Sequence, residues 1–387
     1  MRKLLLFFSF LIPFYLAAQS VKLSVYSEVS IVTVGPGNEL FTAFGHTAIH
    51  IKDPLLKFDT VFNYGMFDFN QPNFYLNFAE GKLLYKLGAY PFPRVINQNA
   101  YEKRWIKEQV LNLNQQQRQA VFEFLAENLK PKNASYLYDP FYNNCATKPI
   151  EILQKLIPNI SLNDDFVNSK KSIRSLMNDE LNQNTWGSFG INLALGNKID
   201  RESNLQDYMY LPDFVSESIQ KATIKVNGKN QPLVKEEKQV LTYDEIKTKS
   251  AFLNPFLILG FLLLIGIFVS YRDFKRKKIS NWFDISLLTI TGLVGIGITF
   301  LWFFTNHATT PNNFNILWCF PMNALAFVFY KNKKLLKKYF IFLVILICLV
   351  PIIWLTKIQE FNVYIIPMIL VLALRYLTQI QLLSSKQ

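Results

Sequence analysis

The 387-residue chain has three cysteines and three histidines, few enough to ask of each what chemistry it could do. Cys145 follows Tyr142-Asn143-Asn144 and opens the run from Ala146 to Leu156, whose apolar residues have helical spacing. A thiol at a helix start meets unpaired backbone N–H groups and the positive end of the helix dipole, and both favour the thiolate. The available imidazole bases are His46 and His50, because His307 belongs to the apolar C-terminal third. From His46 to Ile51 the chain reads as a strand, with His46, Ala48 and His50 on one face and Thr47, Ile49 and Ile51 on the other. Such a strand holds the two rings about 13 Å apart, and no HExxH pattern accompanies them, so no metal site is expected. The scattered glycines make no phosphate-binding pattern, and no cofactor is called for. On composition alone, an inert buried Cys145 with two hydrogen-bonded strand histidines is the alternative.

The elements that must position these residues fall into two parts. Half the residues are hydrophobic and 18% are charged, too apolar for disorder or a wholly cytosolic life. The formal net charge of +13 would suggest nucleic acid in a soluble protein. Most of it, however, sits in residues 251–387, where 13 basic residues face 3 acidic ones. That distribution marks cytoplasmic loops of a membrane protein and excludes nucleic acid as a partner.

Residues 1–18 have the layout of a signal peptide, with Arg2 and Lys3, an apolar stretch and then Ala17-Ala18. Five transmembrane helices are expected over 251–270, 284–304, 314–330, 339–355 and 361–380. The loops after the first and third hold five basic residues each. Residues 19–250 and the His307 loop are therefore expected outside the inner membrane, and the C-terminus in the cytoplasm. Arg375 is expected to snorkel toward the interface.

Within 19–250, strands are expected at Val21 to Ser27, Ser30 to Val34, His46 to Ile51, Val61 to Tyr64 and Lys82 to Leu87. Helices are expected at Glu102 to Val110, Asn114 to Leu129, Ala146 to Leu156 and Ser172 to Asp179, with a loop around Trp186-Gly187 and a small hairpin between Thr223 and Thr242.

Phe44-Gly45-His46-Thr47-Ala48-Ile49, Phe62 to Phe69, Asn143-Asn144-Cys145-Ala146-Thr147, the Gly196 to Arg201 stretch with Leu211-Pro212, and Asn312 to Trp318 with Pro321 carry a further signal. In these segments the sequence resembles bacterial proteins with an Lnb-type N-terminal periplasmic domain, members of which are lipoprotein N-acyltransferases. More remotely, histidine before cysteine resembles the permuted papain-like NlpC/P60 and lecithin:retinol acyltransferase relatives. The resemblance implies an α+β fold, a permuted papain-like thiol domain followed by a five-helix transmembrane bundle. It implies Cys145 as nucleophile and His46 as base, with Asn63, Asp68 or Tyr64 orienting the imidazole and Asn144 donating to the oxyanion. His50, Tyr64, Asp68, Tyr142 and His307 are the expected substrate contacts. The implied partners are a membrane phospholipid and diacylglyceryl lipoproteins, with an acyl chain passing from the lipid to the lipoprotein's N-terminal amine. A membrane-tethered cysteine peptidase or amidase of the cell wall, or a non-enzymatic envelope protein, are the competing readings.

Overall fold

A computed structural model of the chain describes residues 21–67, 72–168, 170–244 and 249–384. The expected signal peptide and Asp68 lie outside the described residues. The N-terminal part is built on a seven-stranded antiparallel sheet. In chain order its strands are β1 (Glu28–Val34), β2 (His46–Asp53), β3 (Phe58–Met66), β4 (Leu84–Pro91), β5 (Ile106–Leu111), β6 (Ser135–Leu137) and, after a three-stranded satellite of β7 (Ile160–Ser161), β8 (Thr223–Val226) and β9 (Lys229–Pro232), β10 (Val234–Leu241). The spatial order is β10-β5-β1-β2-β3-β4-β6. Alternation along β1 and β2 sends Ile31, Ile49 and Ile51 to one face, where they pack with residues of α3 (Gln115–Asn128), α4 (Thr147–Leu156) and α8 (Pro212–Lys221). Val32, Val34 and Ala48 go to the other, under Phe92 of α2 (Phe92–Tyr101). Burying each of these side chains larger than alanine stabilises the domain by about 1.5–3 kcal/mol, and the site sits where β1 ends and β2 begins.

Several local readings change. Val21 to Ser27 forms no strand, only a turn ahead of β1. Glu102 to Val110 is not a helix; Ile106–Leu111 is β5, paired on both sides by β1 and β10. Its alternation is masked because inward positions are polar. Glu108 bonds His50, and Gln109 donates to the Ser216 carbonyl and Gln220. The Trp186-Gly187 segment is the helix α6 (Trp186–Ala194), capped by Thr185. The hairpin forms between β8 and β9, while β10 leaves it to edge the main sheet.

Among the described residues four helices are long and apolar enough to cross a membrane: α9 (Pro255–Arg276), α10 (Asn281–Phe303), α12 (Lys333–Leu355) and α13 (Ile366–Ser384), the last with a preceding turn. The expected third helix is not continuous. It consists of 3₁₀ turns at Phe314–Leu317 and Pro321–Leu325 and the short α11 (Ala326–Phe329). Irregular backbone survives at membrane depth only when covered by protein, and α10 covers it. Cβ atoms added at Gly292 and Gly295 would come within 2.0 Å of Ala324 N and 1.8 Å of Cys319 O. Nor does Arg375 snorkel. It is fully buried, donating to Asp273 (2.9 Å), Asp284 (2.7 Å) and Ser270 (3.1 Å).

The Gly196 to Arg201 stretch joins the two parts. Buried Arg174 on α5 (Ile173–Glu180) binds Asp200 through two nitrogens and donates to the carbonyls of Asn192, Leu195 and Gly196. The Gly196 and Asn197 N–H groups donate to the carbonyls of Thr309 and Asn312. A Cβ on Gly196 would lie 1.8 Å from the Pro311 carbonyl oxygen, a clash with backbone that no rotamer relieves. Gly196→Ala is expected to undock the N-terminal domain from the bundle. Limited proteolysis should cut near residue 196 at least ten times faster than in the wild type; equal cleavage rates would show that the clash is absorbed.

Candidate active site

Cys145 is half-buried and free, and it stands directly before α4, as its neighbours demand. Asn144 makes the turn. Its Oδ1 accepts the N–H groups of Ala146 and Thr147, both at 2.9 Å, and its Nδ2 donates to the carbonyls of Pro140 (2.9 Å) and Tyr210 (2.8 Å). With both amide hydrogens committed and the side chain buried, Asn144 has none left for an oxyanion, contrary to expectation. Its side chain instead closes the turn that leads into α4.

β2 supplies the imidazole. The His46 ring and the Cys145 thiol interact electrostatically, and His46 Nε2 makes a short contact with Asn63 Oδ1. An amide oxygen only accepts, so the proton sits on Nε2 and Nδ1 is left as the basic nitrogen toward sulfur. Asn63 is itself held by donating from Nδ2 to Met66 Sδ at 3.2 Å. β3 reaches this geometry through a bulge. Its register with β4 shifts between Asn63 and Met66, and Gly65 takes φ 98°, a conformation that favours glycine. Pairing of β3 with β2 covers Ile49 to Asp53, and beyond it the backbone N–H groups of Thr47 and of Cys145 itself help to lower the Cys145 thiol.

The electrostatics favour an ion pair. Burial raises the Cys145 thiol, but the His46 charge and hydrogen bond and the two N–H groups outweigh it and bring it below the ordinary thiol value. Burial lowers His46, but the thiolate, together with Asn63, outweighs it and holds the imidazole above its ordinary value.

The other expected contacts are elsewhere. His50 is buried, with Nδ1 2.7 Å from Glu108, Nε2 2.6 Å from Asp59 and its ring against Phe92, a satisfied core histidine. Tyr64 points into the opposite core layer and accepts from Asn128 at 2.8 Å; burial raises its hydroxyl to about 12. Tyr142 is exposed and lies under Lys198. His307 contacts the Phe78 carbonyl at 3.1 Å.

Arg104 escaped sequence reasoning. Buried, it donates from Nε to the Gly35 carbonyl (2.8 Å) and from Nη1 to Glu102 (3.1 Å), while Nη2 has no hydrogen-bond partner among the described residues. Gly35 follows Val34, which pairs with His46, so a guanidinium stands next to the imidazole. Nothing local marks it, since it lies in the turn before β5 and pairs across sixty-nine residues of chain.

An α+β domain that brings a cysteine, an imidazole and an amide together and docks by its loops onto a helical membrane bundle defines a two-part, multi-pass membrane protein. Residues 18–179 match the Lnb N-terminal periplasmic domain and residues 247–387 the Lnb transmembrane domain; the chain belongs to the Lnb family of multi-pass membrane proteins. Its function is acyl transfer of the lipoprotein N-acyltransferase type, at the inner membrane with the N-terminal domain in the periplasm. Cys145, His46, Asn63 and Arg104 all fall inside the first matched segment. Neither the curated proteins nor the solved structures contain a significant match to the chain.

Proposed function

We propose that the chain moves a fatty acyl group from a membrane phospholipid to the N-terminal amine of diacylglyceryl-cysteine lipoproteins, through a thioester on Cys145 in a permuted papain-like domain. The observation that carries this reading is the series Cys145, His46, Asn63, in which the imidazole interacts with the thiol on one side and is hydrogen-bonded to the amide on the other. The thiolate attacks the ester carbonyl, and the N–H groups of Thr47 and Cys145 are the donors for the oxyanion that forms. As the C–O bond breaks, the His46 imidazolium gives its Nδ1 proton to the leaving lysolipid alkoxide. Neutral His46 then takes a proton from the lipoprotein α-amine as that nitrogen attacks the thioester. Collapse breaks the C–S bond, leaves an amide and restores the ion pair. Such an amine, with a pKa near 7.7–8.0, is partly neutral at physiological pH. Asn63 fixes the imidazole tautomer, and Asn144 and Arg104 position the loops around the thiol.

The test uses full-length protein in detergent with acyl-labelled phospholipid and a synthetic diacylglyceryl-cysteine peptide. The wild type is expected to form a labelled adduct that hydroxylamine releases and that chases onto the peptide amine, and Cys145→Ala to form none. Hydrolysis of cell-wall peptides with no lipid adduct would replace this reading with the amidase.

A further inference from the structure

The mechanism leaves open how a long apolar chain reaches Cys145. Helix α10 ends at Phe303, and the residues just beyond it are bonded to the N-terminal domain. The Asn306 N–H donates to the Glu80 carbonyl at 2.8 Å, and His307 Nε2 lies 3.1 Å from the Phe78 carbonyl. Gly81, at φ 75°, is pressed so closely on this turn that a Cβ there would lie 2.6 Å from His307 N. These contacts hold the short helix α1 (Phe74–Ala79) at the outer end of a membrane span. There it exposes Tyr75, Leu76 and Phe78, at the level where aromatic side chains meet lipid headgroups.

From α1 a file of rings leads inward. Centroids are 6.3 Å apart for Phe78 and Phe74, 6.3 Å for Phe74 and Phe67, 5.2 Å for Phe67 and Tyr85, and 4.4 Å for Tyr85 and Tyr138. Tyr138 then stands 4.0 Å, and the Cys145 Cβ 3.7 Å, from the position a Cβ would take on Gly65. Phe67 is 37% and Phe78 49% exposed, so the file has an open side. Phe74 lies buried between these two rings, and with exposed Tyr75 and Leu76 they make an apolar strip that joins the end of a membrane span to the nucleophile.

We propose that the strip Phe78–Phe74–Phe67–Tyr85–Tyr138 binds the fatty acyl chain of the donor lipid, drawn from the outer leaflet with its ester at Cys145. The proposal rests on the acyl-transfer reading of Cys145. A peptide occupant is less suited, because the rings in the strip itself present no charged group to read one.

The experiment uses full-length protein in nanodiscs and 4-nitrophenyl esters of two to ten carbons, following Cys145 acylation. Burial of each methylene against the strip is expected to raise kcat/KM by up to about fourfold, and Phe67→Ala and Phe74→Ala to cut that rise per methylene at least by half. Phe74→Trp, which narrows the strip with a minimal loss of apolar contact, serves if the alanine proteins do not fold; it is expected to shift the preferred chain length downward. A chain-length profile unchanged in folded variants overturns the strip. No Cys145-dependent acylation by any ester, including the acetyl ester, would instead overturn the acyl-transfer reading.

Discussion

His46→Ala is expected to lose acyl transfer by about 10²–10⁴-fold, the range for removing a positioned acid–base group, and to shift the ionisation of Cys145 upward. The sign follows from the opposing effects at the thiol. Burial raises Cys145, and the His46 charge is the foremost of the effects that lower it. In the wild type the thiolate forms below the pH at which an ordinary cysteine, with a pKa of about 8.5, ionises. His46, raised by the thiolate, stays protonated above the ordinary imidazole range. The two shifts move the thiol and the imidazole toward each other and so favour the ion pair, and transfer should rise as Cys145 ionises and fall as His46 loses its proton. The measurement is the pH dependence of iodoacetamide alkylation at Cys145. Its midpoint should lie lower in the wild type than in His46→Ala, because burial, which raises the thiol, loses its main opponent in the variant. Identical midpoints in the two proteins would remove His46 from the thiol's environment. Asn63→Ala should leave the alkylation midpoint closer to wild type while still lowering turnover, because Asn63 acts on the tautomer of His46 and not on the sulfur.

Arg375→Leu is expected to destabilise the membrane bundle by about 3–5 kcal/mol, the cost of leaving buried carboxylates without their partner. Asp273 and Asp284 are each at most 2% exposed, and both receive hydrogen bonds from the Arg375 guanidinium. Against a total stability of about 5–15 kcal/mol for a typical protein, that loss should appear as a sharply reduced yield of monodisperse protein in detergent and a lower Tm. Replacing the acids as well, in Asp273→Leu, Asp284→Leu, Arg375→Leu, should recover much of it, since a buried ionic cluster exchanged for apolar side chains of similar size is often neutral. A single Arg375→Leu protein with wild-type Tm would show that the cluster contributes nothing to holding α9, α10 and α13 together. The acids lie at the end of α9 and the start of α10, beside the basic loop that orients the bundle, so a correct insertion is also at stake.

What the amino-acid order determines by itself is whatever depends on near neighbours or on summed composition. Charge-free runs of twenty residues and basic loops dictate the membrane part because hydrocarbon thickness and the cytoplasmic bias of lysine and arginine act on the chain directly. The strand from His46 and the helix after Cys145 follow from alternation and from a loop-to-helix junction, and these brought nucleophile and base to attention. Asn63 was legible as one of three candidates for the imidazole, and only the bulge at Gly65 selects it: Tyr64 turns into the opposite core layer and Asp68 lies outside the described residues. His50, equal to His46 by type and face, is taken out of contention by Asp59 on the adjacent β3 and Glu108 on β5, one strand beyond β1. Asn144 becomes a turn-closing residue because the carbonyls of Pro140 and Tyr210 happen to surround it. The third membrane segment abandons helix because glycines on α10 bring its backbone close. In each case the deciding partner is distant in sequence and was placed by packing of the sheet or the bundle. A hydrogen bond or an ion pair is specified by where two groups end up, and local pattern carries no record of that.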